Sequence, residues 1–330
     1  MKLLLRLLGL AAIVAVVAGA WVIHRLNQPY KGFSNPVFIE FAHGTSTRSI
    51  ATVLADKGVI QGRWLFLAAR ALRRGANLQA GEYKFDKPAS PVEILGRLAR
   101  GDIYYMELLV PEGFNMYDIA DAVGKLGTMR PETFLAAAKN PAMIRDLDPD
   151  APSLEGYLFP NTYRVHRHTT AEQICRMMTD EFRARWKALG TQANVHDTVT
   201  LASLVEREAR IPGERPIVAS VFHNRLRIGM KLDCDPTTVY AALLENRYRG
   251  TIYRSDLENR SPWNTYQHPG LPPGPIANPG LSAIKAVLSH AETPYLYFVA
   301  RADGSGGHNF SESLVKHYAA VAQYQRAAHH

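Results

Sequence analysis

Val199-Thr200-Leu201-Ala202-Ser203-Leu204-Val205-Glu206-Arg207-Glu208-Ala209-Arg210 reads as a helix, and its two glutamates decide how the rest of the chain is understood. Leu201, Leu204, Val205 and Glu208 recur at i, i+3, i+4 and i+7 and so share one face, with Asp197 or Thr198 placed to cap the start. Glu208 therefore falls inside the apolar stripe and is expected to be partly buried. Glu206 falls at its edge, with the small residues Ala202 and Ala209 as i−4 and i+3 neighbours, where a substrate can approach. A carboxyl in partly desolvated surroundings has its charged form disfavoured and its pKa raised, which suits a general acid. Taken alone, Glu-Arg-Glu in a helix reads more readily as a solvated, salt-bridged face, and periodicity does not choose between the two glutamates.

A chain of 330 residues with 47% hydrophobic content is long enough for about two domains. Residues 7–23 carry no charge and are flanked by Lys2 and Arg6 on one side and His24 and Arg25 on the other. That run, with Trp21 at its end, fits a membrane-spanning helix at the short end of the range. A cleaved signal peptide competes, because Ala18-Gly19-Ala20 resembles a cleavage site, but the run is longer than the usual 7–15-residue signal core. By the positive-inside rule the leading end is cytoplasmic and the remainder lies outside. Cys175 and Cys234 have no metal-binding spacing, and their pairing is not readable. The net charge of +8 favours anionic surfaces such as phospholipid head groups or cell-wall polymers. Nucleic acid is not expected as a partner, since the basic residues are scattered and no binding motif is present.

After a tether at 27–36, a strand is expected at 37–41 and a turn at 42–45. Helices follow from Ser46 or Thr47 and over 63–74, then a strand at 82–85 and a helix from Pro91 to near Gly101. Met106 to Val110 begins a second strand–turn–helix, with Gly113, Ile119 and Ala120 matching Gly44, Ile50 and Ala51 at one offset. Glu155, Tyr157, Phe159, Asn161 and Tyr163 read either as a sugar-stacking wall or as a packed corner. Helices are expected over 170–186 and 214–227. Residues 231–238 and 261–266 read as polar loops, and the Pro/Gly-rich run 270–280 as a rigid loop lining a cleft. A helix at 281–289, a strand at 295–300 and a last helix through 325 complete the chain.

No nucleophile elbow, zinc-protease motif or phosphate-binding loop occurs, the histidines are dispersed, and no cofactor or metal is called for. Carboxylate chemistry on an extracytoplasmic saccharide polymer remains. At this point the sequence resembles the YceG-like family, the endolytic murein transglycosylases. The matching stretches are 154–160, 201–209, 218–226, Asp235-Pro236-Thr237, Asn264-Thr265-Tyr266, 270–276, Asn278-Pro279-Gly280 and Gly307-His308-Asn309-Phe310, in the family's order.

The resemblance implies an α+β chain. A cytoplasmic stub and transmembrane helix (1–26) and the tether (27–36) precede a small LysM-like α+β module (37–105). A larger mixed α+β catalytic domain (106–330) follows, with its catalytic Glu on a helix. It implies an inner-membrane, single-pass protein with a periplasmic catalytic domain acting on peptidoglycan glycan strands, with a peptidoglycan synthase as a conceivable partner. The family's first helix-motif glutamate falls on Glu206, which makes it the expected catalytic residue and Glu208 a supporting one. Asp235, Thr237, Asn264, Tyr266, Glu155, Tyr157, Asn278 and His308 complete the expected substrate-binding set, and Cys234 stands where Thr or Ser is expected. An ordinary glycosidase needs two carboxylates, whereas a lytic transglycosylase works with one because the nucleophile is the sugar's own C6 hydroxyl. A non-enzymatic peptidoglycan-binding scaffold and a hydrolysing muramidase, for which Asp233 or Asp235 would be the second carboxylate, are the rival readings.

Overall fold

The computed structural model describes residues 2–73 and 75–328. It is a mixed α+β structure that divides into two compact units, Met1–Met106 and Glu107–His330.

The first unit contains α1 (Lys2–Asn27), β1 (Val37–Phe41), α2 (Thr47–Asp56), α3 (Arg63–Leu72), β2 (Gly81–Phe85) and α4 (Pro91–Arg100). Leu4–Asn27 is long and apolar enough to cross a membrane, which fits a single-pass membrane protein. β1 and β2 pair antiparallel from Val37 opposite Phe85 to Phe41 opposite Gly81. They cover a core built from Leu54, Phe66, Tyr83, Ile94 and Leu95. Ser46 caps α2 as expected, and Ser90 forms a capping box with Glu93 at α4. α3 stops at Leu72, short of the expected end at 74: Arg73 has already left helical geometry, and residue 74 lies outside the described residues.

The second unit contains β3 (Met106–Val110), α5 (Met116–Lys125), α6 (Pro131–Ala138), β4 (Asn161–Val165), α7 (Ala171–Leu189), α8 (Val195–Glu208), α9 (Arg215–Arg227), α10 (Asp235–Leu244), α11 (Arg254–Leu257), α12 (Leu281–Leu288), β5 (Tyr297–Ala300), β6 (His308–Ser311) and α13 (Leu314–Ala328). β3 pairs with β4 and β5 with β6. The repeated strand–turn–helix is present. Gly44 and Gly113 both turn at positive φ (83° and 80°), and Ile50, Ala51, Ile119 and Ala120 are all buried at matching positions.

Three readings change. α8 is capped by Asn194 and begins at Val195, four residues before the quoted stretch, so Asp197 lies in its first turn. It is buried on every side from Thr198 to Val205, since α9, α10 and α12 all pack on it, rather than along one stripe. The polar segment at 231–238 is only partly loop, because Asp235-Pro236 opens α10, where proline at an N-terminal position sacrifices no helical hydrogen bond. The run at 270–280 is a buried strap with Ile276, Ala277 and Asn278 shielded, and the Ile276 N–H donates to Ser203 Oγ in the middle of α8.

Candidate active site

α8 is enclosed until its last turn, where Glu206 and Glu208 emerge on different sides. Both sit at the C-terminal, electronegative end of the helix, which disfavours a carboxylate there.

Glu206 is fully engaged. Its Oε1 accepts from Arg215 Nη2 at 2.7 Å and its Oε2 from the Gly280 N–H at 3.0 Å, and the side chain is only 4% exposed. Burial raises its pKa, against the pull of the Gly280 amide and the Arg215 guanidinium. Glu112, half exposed, approaches the same guanidinium at 3.6 Å. The Glu112 carboxylate also lies against Gly280, where a Cβ would require this half-exposed side chain to swing aside. A cavity of about 650 Å³ opens beyond this cluster, bordered by Glu112, Arg215, Leu281 and Lys285 but not by Glu206 itself.

Glu208 has the opposite surroundings. It borders a cavity of about 390 Å³ together with Arg225, Asp233, Asp235, Tyr266 and Tyr297. Its Oε1 accepts only a weak bond, from Cys234 Sγ at 3.2 Å. Desolvation raises its pKa first and the charge of Asp235 adds to this; the Cys234 bond and the charges of His308 and Arg207 pull the other way. Asp235 is held in turn by the Tyr266 hydroxyl, which donates to it at 2.6 Å. The cavity mouth carries aromatic faces, Tyr297 stacking on His317 at 5.2 Å and Tyr318 standing exposed.

Of the residues picked from sequence, Glu208, Asp235 and Tyr266 are brought together at this cavity. Thr237 and Asn264 are completely buried beneath it. Thr237 Oγ1 meets Thr265 Oγ1 at 2.9 Å, while Asn264 Nδ2 donates to the carbonyls of Asp256, Leu257 and Asn259. They shape the loop that presents Tyr266 and offer no surface to a ligand. His308 is buried against Glu214, its Nδ1 2.8 Å from a carboxylate oxygen.

Glu155, Tyr157 and Asn278 form a separate interior cluster, so the packed-corner reading describes 154–163. Glu155 accepts from the Met116 N–H at the start of α5, from Asn278 Nδ2 at 2.8 Å and from the Tyr240 hydroxyl. Desolvation outweighs these donors and pushes its carboxyl up to about 8. Asn278 Oδ1 accepts from the Gly156 and Leu158 amides, tying the strap to that corner. The Tyr157 hydroxyl bonds to Asp148.

The sequence reading missed Arg215, Glu112, Tyr297 and Tyr318. Glu112 is distant from α8 in sequence, and Arg215, seven residues past the end of α8, carries no local motif that ties it to Glu206. The short apolar strand around Tyr297 and the amphipathic α13 look like ordinary core elements. Among the described residues no three of His, Cys, Asp and Glu are grouped to hold a metal ion. Both cysteines are free and buried.

A profile of the YceG-like family matches residues 39–323. An endolytic murein transglycosylase of Bacillus subtilis is 32% identical over 94% of this chain and 91% of its own length. A protein of the same name from Streptococcus pneumoniae is 30% identical over 80% of this chain, which spans about half (54%) of that longer relative. The crystal structure of a yceG-like protein from Listeria monocytogenes superposes with a TM-score of 0.55 at 31% identity, covering 87% of this chain and 99% of the other. The profile covers most of the chain and the Bacillus relative nearly all of it; the chain belongs to the YceG-like family.

Proposed function

We propose that the chain is an endolytic peptidoglycan lytic transglycosylase that uses Glu208, rather than Glu206, as its acid and base. The names and extent of the matched relatives support the activity. The choice of residue rests on one observation: Glu208 lines a cavity with a single weak hydrogen bond, while both oxygens of Glu206 are committed to Arg215 and Gly280.

In this reading protonated Glu208 gives its proton to the bridging oxygen of a MurNAc–GlcNAc β-1,4 bond. The C1–O bond breaks and the GlcNAc side leaves with a free 4-hydroxyl. The carboxylate then takes the proton of the MurNAc C6 hydroxyl, whose oxygen attacks C1 and closes a 1,6-anhydro ring. No water is consumed, and the tethered nucleophile supplies a high effective concentration. Asp235, beside Glu208, keeps the acid protonated before reaction and offers negative charge to the oxocarbenium-like transition state. Tyr266 fixes Asp235, and Tyr297 and Tyr318 offer faces for the apolar sides of pyranose rings. Thr237, Asn264, Glu155, Tyr157, Asn278 and His308 act as positioning residues.

The remaining assignments follow the same reading: α1 anchors the chain in the inner membrane with its leading end cytoplasmic, 37–105 is a LysM-like module, and 106–330 is a periplasmic catalytic domain. Lys2 and Arg6 ahead of the apolar run support that orientation. The test is to incubate the full chain in detergent with isolated glycan strands and read the products by mass spectrometry. Products one water lighter than their hydrolytic counterparts are expected. Reducing-end products would make the protein a muramidase, and intact strands that remain bound would make it a scaffold.

A further inference from the structure

α3 has an outward face that a solvated helix does not carry. Leu65, Phe66 and Ala69 point into the core of the first unit. Across the helix, Trp64 (46% exposed), Ala71 and Leu72 (71% exposed) form an exposed apolar surface with no charged residue within it, and Leu67 and Ala68 beside them are partly buried against the core. An amphipathic helix facing water puts polar residues there, and a helix apolar all round belongs against another apolar phase. Arg63, Arg70 and Arg73 flank this surface, the arrangement of a helix lying in a lipid interface.

The position of α3 relative to α1 says which apolar phase. The Trp64 indole stacks on that of Trp21 at 6.1 Å and 11°, and the Arg25 guanidinium lies 5.8 Å from the Trp21 ring. Arg25 also reaches Gln61, immediately before α3. Leu26 is buried in the core of the same unit and Val22 packs on it, so the last turn of α1 belongs to the folded unit and fixes its height. Residues 4–23 of α1 span about 30 Å at 1.5 Å per residue, the thickness of a bilayer core. That length sets Trp21 and Arg25 at the head-group level, and Trp64 at the same depth.

We propose that α3 is a second membrane contact: its Trp64–Leu72 face seats in the outer head-group region of an anionic bilayer, so that the first unit lies on the membrane rather than standing off it. This rests on α1 spanning the membrane. Attraction between anionic lipids and Arg63 and Arg73 adds to the apolar contact.

The test uses the full chain in phosphatidylglycerol-containing vesicles, with an environment-sensitive fluorophore on Leu72→Cys in one sample and on Val17→Cys in another. The two native cysteines are buried, and Leu72 is exposed enough for the substitution to leave the fold intact. Quenching of the Leu72 label by lipids carrying acyl-chain quenchers, with several-fold protection from aqueous iodide, is expected alongside a fully lipid-quenched Val17 label. A Leu72 label as open to iodide as free dye, beside a lipid-quenched Val17 label, overturns the α3 contact and leaves the anchor standing. If the Val17 label is also water-exposed, the anchor and the contact both fall.

Discussion

Glu206 and Glu208 stand two residues apart on one helix turn, yet their carboxyls have different surroundings, and in the proposed reading one wall of α8 is framework and the other reacts. On the Glu206 side both carboxylate oxygens have partners: Arg215 and Gly280 hold the carboxylate, and Asn278 and Glu155 fix the strap. On the Glu208 side the buried carboxyl meets a thiol, lies near the charge of Asp235 and lines a cavity. A reactive acid has to be enclosed enough to stay protonated and uncommitted enough to release its proton; burial raises the pKa of both carboxyls, and in the proposed reading the weaker hydrogen bonding of Glu208 decides between them.

The sharpest way to break this contrast is to strip the framework side. Arg215→Met leaves Glu206 as a buried carboxylate without its cation. Loss of about 3–5 kcal/mol in urea unfolding is expected, with part of it restored by adding Glu206→Gln. An unchanged midpoint would mean that Glu206 is not a framework group.

Glu155 tests the same side by pH. Its folded pKa of about 8 lies above the ordinary value of 4.5, so its contribution to stability is complete below pH 4.5 and is lost as pH rises through about 8. Glu155→Gln is expected to flatten that decline, measured as the difference in unfolding free energy across pH 4.5 to 8. An identical slope in both proteins would show that the carboxyl ionises freely.

The smallest effect sharpens the other wall. A hydroxyl donates more strongly than a thiol, so Cys234→Ser stabilises the Glu208 carboxylate and lowers its raised pKa. Since the acid must be protonated, activity falls as pH rises through that pKa, and the alkaline limb of the kcat/KM profile is expected to move to lower pH. A limb that stays in place would detach Cys234 from the reacting group.

The comparison also explains what the sequence could reveal. Local signals were sufficient for the strands at 37–41 and 106–110, for a cap at Ser46 or Thr47, of which Ser46 is the one used, and for α4 opening at Pro91 and ending near Gly101, because turns and caps depend on near neighbours. α8 was legible as a helix but not in its burial, since α9, α10 and α12 enclose it from three directions that no periodicity records. Hence the surroundings of the two glutamates depend on contacts from outside α8: Arg215 and Gly280 for one, Cys234 and Asp235 for the other. The Pro/Gly-rich run was recognisable as rigid, but whether such a run borders a cleft or crosses a core is decided by what its backbone amides meet, here Ser203 and Glu206.

The most direct measurement compares Glu208→Gln with Glu206→Gln for release of anhydro-terminated fragments from glycan strands, each corrected for the folded fraction. Glu208→Gln is expected to lose roughly 10²–10⁴-fold in kcat with its unfolding midpoint preserved, whereas Glu206→Gln keeps most of its turnover per folded molecule and loses stability. Full activity in Glu208→Gln, with turnover abolished in a stable Glu206→Gln, would contradict the assignment and return the chemistry to Glu206.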